Sequence, residues 1–414
     1  MTDSKWWSDG FATMMPRFSG SLSTICSAII IYIILRSQSG LQSIYHRILF
    51  AMSIYDILAH SAVALGTVML PSDLAELFPD TWTIFGNTYT CNYQGFAFTC
   101  GTFASGAYVS SLCIYYACSL TFGLTQQFIQ RRIEWFLHLF PQGTALAFSV
   151  YMLLNDMMNP SKDFPFCWPD TLPNGCENEK CIRGSSEVLS LGSQMVIVLN
   201  LLNVAFIILS LSIVCFTLCR AMYKSKMSAS ESSEKADEYN FRKETSKIVV
   251  KHSFLYIMAL VVTQVPSILN QSARNPTPTT RSLTLIFSPL HGFFNLIIFV
   301  WGKIYGIRLR KPTATTIEAL KSLLTDKDGA DDHAYFSNIE FVDCTSQNKE
   351  NENKSDGLEF SKRKENVLNI DDMENIDLSF DQSKSNGKFS NFGISNSSDM
   401  HSDISFKGKL HYNF

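Results

Sequence analysis

Charge is what this chain has least of. Only 17% of its 414 residues are Asp, Glu, Lys or Arg, against 46% hydrophobic ones, and 31 Phe and 15 Tyr are among the aromatics. So low a charge fraction with so many aromatics is unusual for a soluble protein of this length. The charges are also unevenly placed: Pro312 to Phe414 holds 11 basic and 19 acidic residues, the part before it 23 and 18. An oily, slightly basic body thus precedes an acidic, polar tail. No cleavable signal peptide is expected at this start either, because MTDSKWWSDGFATMMPRF lacks a compact charged start, an apolar centre and a small-residue cleavage site. His60, His138 and His252 show no HxxxH or Cys/His spacing, so no metal site is expected. Met and Phe stripes read as packing or lipid contact, and neither a cofactor nor a nucleic-acid partner is expected.

What is present is a series of apolar segments of roughly 20 residues, the length that crosses a bilayer core. Seven fall near Phe18–Leu35, Tyr45–Leu70, Asn92–Phe122, Glu134–Met157, Ser190–Arg220, Ile248–Asn270 and Ser282–Trp301. They are continuously apolar rather than alternating, which predicts helices and not a barrel. The expected fold is an all-α membrane protein. Residues 1–17 form a short outer amino terminus, 18–311 a seven-helix domain with a short amphipathic eighth helix at GKIYGIRLRK (302–311), and 312–414 a disordered cytoplasmic tail. With the amino terminus outside, inner segments carry 16 Lys/Arg and outer ones 7, which favours that orientation. The first span then serves as the insertion signal.

Cysteine placement agrees with this orientation. Cys91, Cys167, Cys176 and Cys181 fall in outer segments, an even number on the oxidising face. A Cys91–Cys167 bond would pin the long loop after the fourth span over the mouth of the bundle, and Cys176–Cys181 would close a small second loop. The alternative is reduced thiols.

Polar residues inside an apolar span each need a reason. In SPLHGFFNLIIFV (288–300), Pro289 frees backbone carbonyls, Gly292 lets another helix approach, and His291 and Asn295 are expected to face the bundle. Pro266 predicts a second kink, in the sixth span. Asp56 in SIYDIL is the only acid well inside a span, and a buried carboxylate in lipid needs partners. Asp56 is therefore expected to share a polar cluster with Ser53, His291 and Asn295. Its function is a switch or, more plainly, a static hydrogen-bonded core.

Local motifs narrow the reading. CNYQGF (91–96), LCIYYACSL (112–120), Cys167-Trp168 and PLHGFFN (289–295) resemble the G protein-coupled receptor superfamily. Within it they are most similar to the cyclic-AMP-receptor-like receptors of slime moulds and related protists, and the Cys-Trp pair is shared with secretin-type receptors. The resemblance spans roughly residues 18–311. It implies coupling to a heterotrimeric G protein, and it supports the Asp56 cluster, because rhodopsin-like receptors carry there an acid that binds sodium and changes partners on activation. Two of their motifs are absent: Tyr115, Tyr116 and Ala117 stand where Asp-Arg-Tyr would be, and there is no Asn-Pro-x-x-Tyr.

Three function classes remain in view. A ligand receptor fits the seven spans and the sparse ionisable residues within them. A retinal protein would need a lysine inside the seventh span, and Lys303 sits at its end. A transporter or channel would show repeats and charge along a pathway. An enzyme is not expected, for the spans hold one acid rather than a pair. Gln94, Phe103, Tyr108, Gln194 and Gln264 are the candidate ligand-lining groups. Lys243, Lys247 and Lys251 are candidates for contact with an inner-face partner or the anionic leaflet. Ser397 and Ser398, beside acids, suit a kinase and an arrestin-like regulator. The expected location is the plasma membrane, and the ligand is an unidentified small molecule.

Overall fold

A long apolar segment in lipid favours the helix, because every N–H and C=O is then bonded within the segment. The computed structural model of the chain describes residues 10–72, 84–122, 124–161, 164–176, 181–228, 251, 254–270, 277–311 and 313–325. The helices are α1 (Gly10–Arg36), α2 (Ile44–Leu65), α3 (Thr88–Tyr116), α4 (Gln126–Arg132), α5 (Glu134–Leu154), α6 (Ser186–Ser228), α7 (Phe254–Asn270), α8 (Pro278–Phe287), α9 (His291–Arg310) and α10 (Thr316–Thr325). A short hairpin, β1 (Met158–Pro160) with β2 (Cys167–Pro169), lies between α5 and α6.

Six stretches are long and apolar enough to cross a membrane: Ala12–Arg36, Ile44–Met69, Thr88–Ser119, Glu134–Leu154, Ser186–Phe216 and Pro278–Arg308. With the shorter apolar α7 they make seven among the described residues, in the predicted order. The last spanning unit is α8 and α9 joined by a 3-10 turn at Ser288–Leu290, so Pro289 produces a tight turn inside the span. The most apolar stretch of α3 is 78% buried, that of α6 only 11%. Thus α3 is the axis of the bundle and α6 lies on its rim, where Leu201, Ile208 and Leu209 present the outward apolar face that lipid requires.

Small residues set the helix spacing. A Cβ on Gly292 would collide with Ser23 and Ser27 of α1, and the Gly292 N–H donates to Ser23 Oγ at 2.9 Å. A Cβ on Gly101 would lie 2.6 Å from both the Tyr55 oxygen and the Ala59 nitrogen of α2. At one end of the bundle, Cys91 is bonded to Cys167 and Cys176 to Cys181, each with Cα atoms 5.4 Å apart. Both expected disulfides are therefore formed. At the other end the Arg47 guanidinium grips Glu134, with Nη2 donating to Oε2 at 2.8 Å, and ties α2 to α5.

Several predicted boundaries move. The first helix starts at Gly10 and takes in part of the expected outer terminus, with Arg17 donating to Thr67 Oγ1 at 2.6 Å. The third starts at Thr88 because Asn87 and Thr90 form a reciprocal capping box. The eighth helix is not at 302–311: α9 runs on to Arg310, since nothing before Lys311 breaks it, and Lys311, which precedes Pro312, turns extended (φ −127°, ψ 82°). The short amphipathic helix is instead α10, inside the region predicted as tail. Its Ala319 and Leu323 pack in the core with Ile34 and Ile307, and Arg36 donates to the carbonyls of Leu324 and Thr325 at its carboxyl end. At its start, Thr315 and Glu318 exchange bonds, which hold the Glu318 carboxyl below its ordinary value. Residues 326–414, with Ser397 and Ser398, lie outside the described residues.

Candidate functional site

Two features meet in the middle of the bundle: a buried polar cluster and an apolar cavity. The cluster is built on Asp56 of α2, which is 1% exposed. Its Oδ1 accepts from Ser105 Oγ at 2.6 Å and from His291 Nδ1 at 3.0 Å, and its Oδ2 accepts from Asn295 Nδ2 at 3.0 Å. Helices α2, α3 and α9 are thereby joined through one carboxylate. His60, one turn along α2, brings Nε2 to 3.8 Å from the same Oδ1. Among the described residues, His291 Nε2, Asn295 Oδ1 and both ring nitrogens of His60 have no hydrogen-bond partner, so the cluster retains unused bonding capacity.

Three of the four expected members, Asp56, His291 and Asn295, are brought together. The fourth, Ser53, is a correction: it is buried and its hydroxyl has no hydrogen-bond partner among the described residues. Its place is taken by Ser105, which the Gly101 contact presses against α2. Sequence reasoning missed Ser105 because it is one of several serines on α3, with no local mark. His60 was findable, since a spacing of four on a helix puts it on the face of Asp56. Sodium, implied by the rhodopsin-like resemblance, takes oxygen ligands. Here His291 Nδ1 and Asn295 Nδ2 already bond the two carboxylate oxygens.

The cavity has a volume of about 150 Å³. Phe98, Thr99, Thr102, Phe103 and Gly106 of α3 form one wall, Asn200 and Asn203 of α6 and Gln264 of α7 the others, and Ser288 and Pro289 are part of the lining. Phe164, Phe166 and Trp168 of the disulfide-anchored loop are also part of it, packed on Phe98 with ring centroids 4.8 Å (Phe166) and 5.3 Å (Trp168) away. Of the expected ligand groups, Phe103 and Gln264 line this space. The other three are corrections. Gln94 is fully buried and structural: its amide donates to the Ala62 and Gly66 carbonyls at 2.9 and 2.8 Å and accepts from Cys167 N at 3.0 Å. Tyr108 is bonded to His138 and Gln142 of α5, and Gln194 points outward on α6.

Pro266 lies inside α7 beside Val265 and Ser267, which line the cavity. Lys303 is buried away from the cavity wall. Its ammonium donates to His46 Nε2 at 3.1 Å while His46 Nδ1 donates to the Gly40 carbonyl at 2.8 Å. Lys251 is exposed, its ammonium 5.2 Å from the centre of the Trp301 ring. Lys243, Lys247 and His252 lie outside the described residues.

No protein-family model matches the chain, and no curated protein does. Among solved structures, the crystal structure of squid rhodopsin is similar: TM-score 0.55 at 12% identity, covering 89% of this chain and 90% of that one. The likeness establishes the fold, a rhodopsin-like seven-helix bundle.

Proposed function

We propose that the chain is a plasma-membrane receptor that carries a small-ligand signal from outside to a cytoplasmic heterotrimeric G protein by rearranging α7 and α9. One observation carries the reading: a single 3-10 turn, Ser288–Leu290, runs from the cavity lining to His291 of the polar cluster. Ser288 and Pro289 line the cavity, and His291, next but one along the chain, holds Asp56. A ligand that shifts this turn changes the bonds of the buried Asp56 carboxylate, a two-state element in a packed interior. The rhodopsin-like fold and the excess of basic residues on the inner loops support the same reading.

In this reading the amino terminus is outside. Lys243, Lys247 and Lys251, which precede α7 in the sequence, meet the G protein or the anionic leaflet, and Pro266 lets the start of α7 swing. Serines of the tail, Ser397 and Ser398 among them, accept phosphate from a kinase and recruit an arrestin-like regulator. The test is ligand-stimulated nucleotide exchange on a co-expressed Gα, with solute flux measured in parallel. Exchange without flux is expected. Flux without exchange would move the chain to the second class, a seven-helix transporter or channel. Asp56→Asn keeps the shape but removes the charge, and agonist-driven exchange unchanged by it would reduce the cluster to a static core.

A further inference from the structure

The cavity also specifies what kind of molecule it accepts, an inference that rests on the receptor reading above. Among the described residues, no Asp, Glu, Lys, Arg or His lines it. An ion placed there would lose its hydration with no counter-charge in return, which is prohibitive in an apolar interior. Polar groups are nevertheless present, and all are neutral: the amides of Asn200, Asn203 and Gln264, the indole N–H of Trp168, and the hydroxyls of Thr99, Thr102, Ser267, Thr284 and Ser288. The Thr99 and Thr102 hydroxyls lack a hydrogen-bond partner among the described residues, and Thr99 is completely buried. Asn203 already accepts from Ser110 at 3.1 Å through Oδ1. Size is the second constraint, because an apolar cavity of about 150 Å³ admits a benzene-sized ring. The third is the aromatic cover. Phe164 packs on Phe166 and Trp168 with centroids 5.4 and 5.5 Å apart, and these rings offer π faces rather than charge to whatever lies beneath.

We propose that the cavity binds a small, uncharged ring compound carrying one neutral hydrogen-bonding group, such as an amide or alcohol, and excludes carboxylates, phosphates and ammonium ions. The charge at Asp56 is then reached through protein rather than by direct contact with the ligand.

The experiment uses the full chain in phosphatidylcholine nanodiscs and three fluorinated probes with the same ring: 4-fluorobenzamide, 4-fluorobenzoate and 4-fluorobenzamidinium. Binding is followed by fluorine NMR against empty nanodiscs. Saturable binding of the amide is expected, with both ions weaker by at least about 100-fold. Gly106 provides the control, since it lines the cavity and a Cβ on it meets nothing within 4 Å. Gly106→Leu should fold normally and abolish binding by filling the space. Gln264→Leu should weaken the amide at least about 5-fold while leaving the melting temperature unchanged. Equal binding of either ion, amide binding that survives Gly106→Leu, or no saturable binding by any probe would overturn the assignment. Failure of the receptor reading looks different: the amide binds as described and no nucleotide exchange follows at saturation with any neutral ring compound.

Discussion

The same substitution at two glycines of α3 is expected to have opposite effects. A Cβ on Gly101 would sit 2.6 Å from two backbone atoms of α2, whereas on Gly106 it would meet nothing within 4 Å. Replacing glycine by alanine inside a helix is intrinsically favourable by about 1 kcal/mol, so Gly106→Ala should stabilise by up to that amount. At Gly101 ordinary contact requires α2 and α3 to part by about 1 Å, and overpacking of this kind costs about 1–3 kcal/mol. The separation also draws Ser105, one turn further along α3, away from Asp56, which it now meets at 2.6 Å. A hydrogen bond to a charged group contributes about 1.5–3 kcal/mol, and part of that is lost. Allowing for the propensity gain, Gly101→Ala should destabilise by about 2–4 kcal/mol. The two variants should then melt roughly 10 °C apart, given about 2–4 °C per kcal/mol for a bundle of this size. Heating the purified chain in detergent and measuring the surviving monomer by size exclusion gives the comparison. Equal melting, or Gly101→Ala melting above Gly106→Ala, would refute the close approach of α2 and α3 and with it the geometry of the cluster.

Other predictions test separate contacts. Gln94→Leu strips a fully buried hub of three hydrogen bonds and should cost about 2–4 kcal/mol, read as a lower melting temperature and faster proteolysis at the hairpin. Replacing Cys91 and Cys167 by serine opens a bridge of sequence separation 76 and should cost about 2–4 kcal/mol, whereas opening Cys176–Cys181, of separation 5, should cost less because so little chain is closed. Melting of the two double variants decides between them. Arg47→Ala leaves Glu134 without its guanidinium and should cost about 1–3 kcal/mol, reduced by the partial exposure of both side chains. A much smaller loss with Glu134→Gln added would show the pair to be coupled. Under the receptor reading, Lys303→Met cuts the tie to His46 and should raise ligand-free nucleotide exchange, while unchanged basal exchange would show that the tie restrains nothing.

The spans were legible because lipid leaves the backbone few choices and because the apolar segments have the length of the bilayer. Their ends were less so. The Asn87–Thr90 capping box lies in polar sequence that hydropathy ignores, and α10 is too short and too polar to register beside seven strong apolar runs. Its amphipathic spacing at Ala319 and Leu323 was the available signal. Both disulfides were readable from the side and spacing of four cysteines. For the site, Asp56, His291 and Asn295 stood out because each is expensive in lipid. Ser53 and Ser105 did not differ in that respect, since a helical serine is inexpensive in either place, and choosing between them required knowing which helix faces Asp56. Gln94 was conspicuous for the same reason as Asp56, yet its polarity is used up in holding the loop.

By itself, then, the order of residues determined the solvent, the number of spans and the three costly polar groups that have to find one another, since each follows from transfer free energies along a single chain. Only the tertiary structure decided the rotation of each helix about its axis. That rotation turns Phe103 and Gln264 into a shared cavity, sends Gln194 outward, and brings Ser105 rather than Ser53 to the carboxylate. Rotation is set by contacts between small residues such as Gly101 and Gly292 and the helices facing them, and such contacts are properties of pairs of segments.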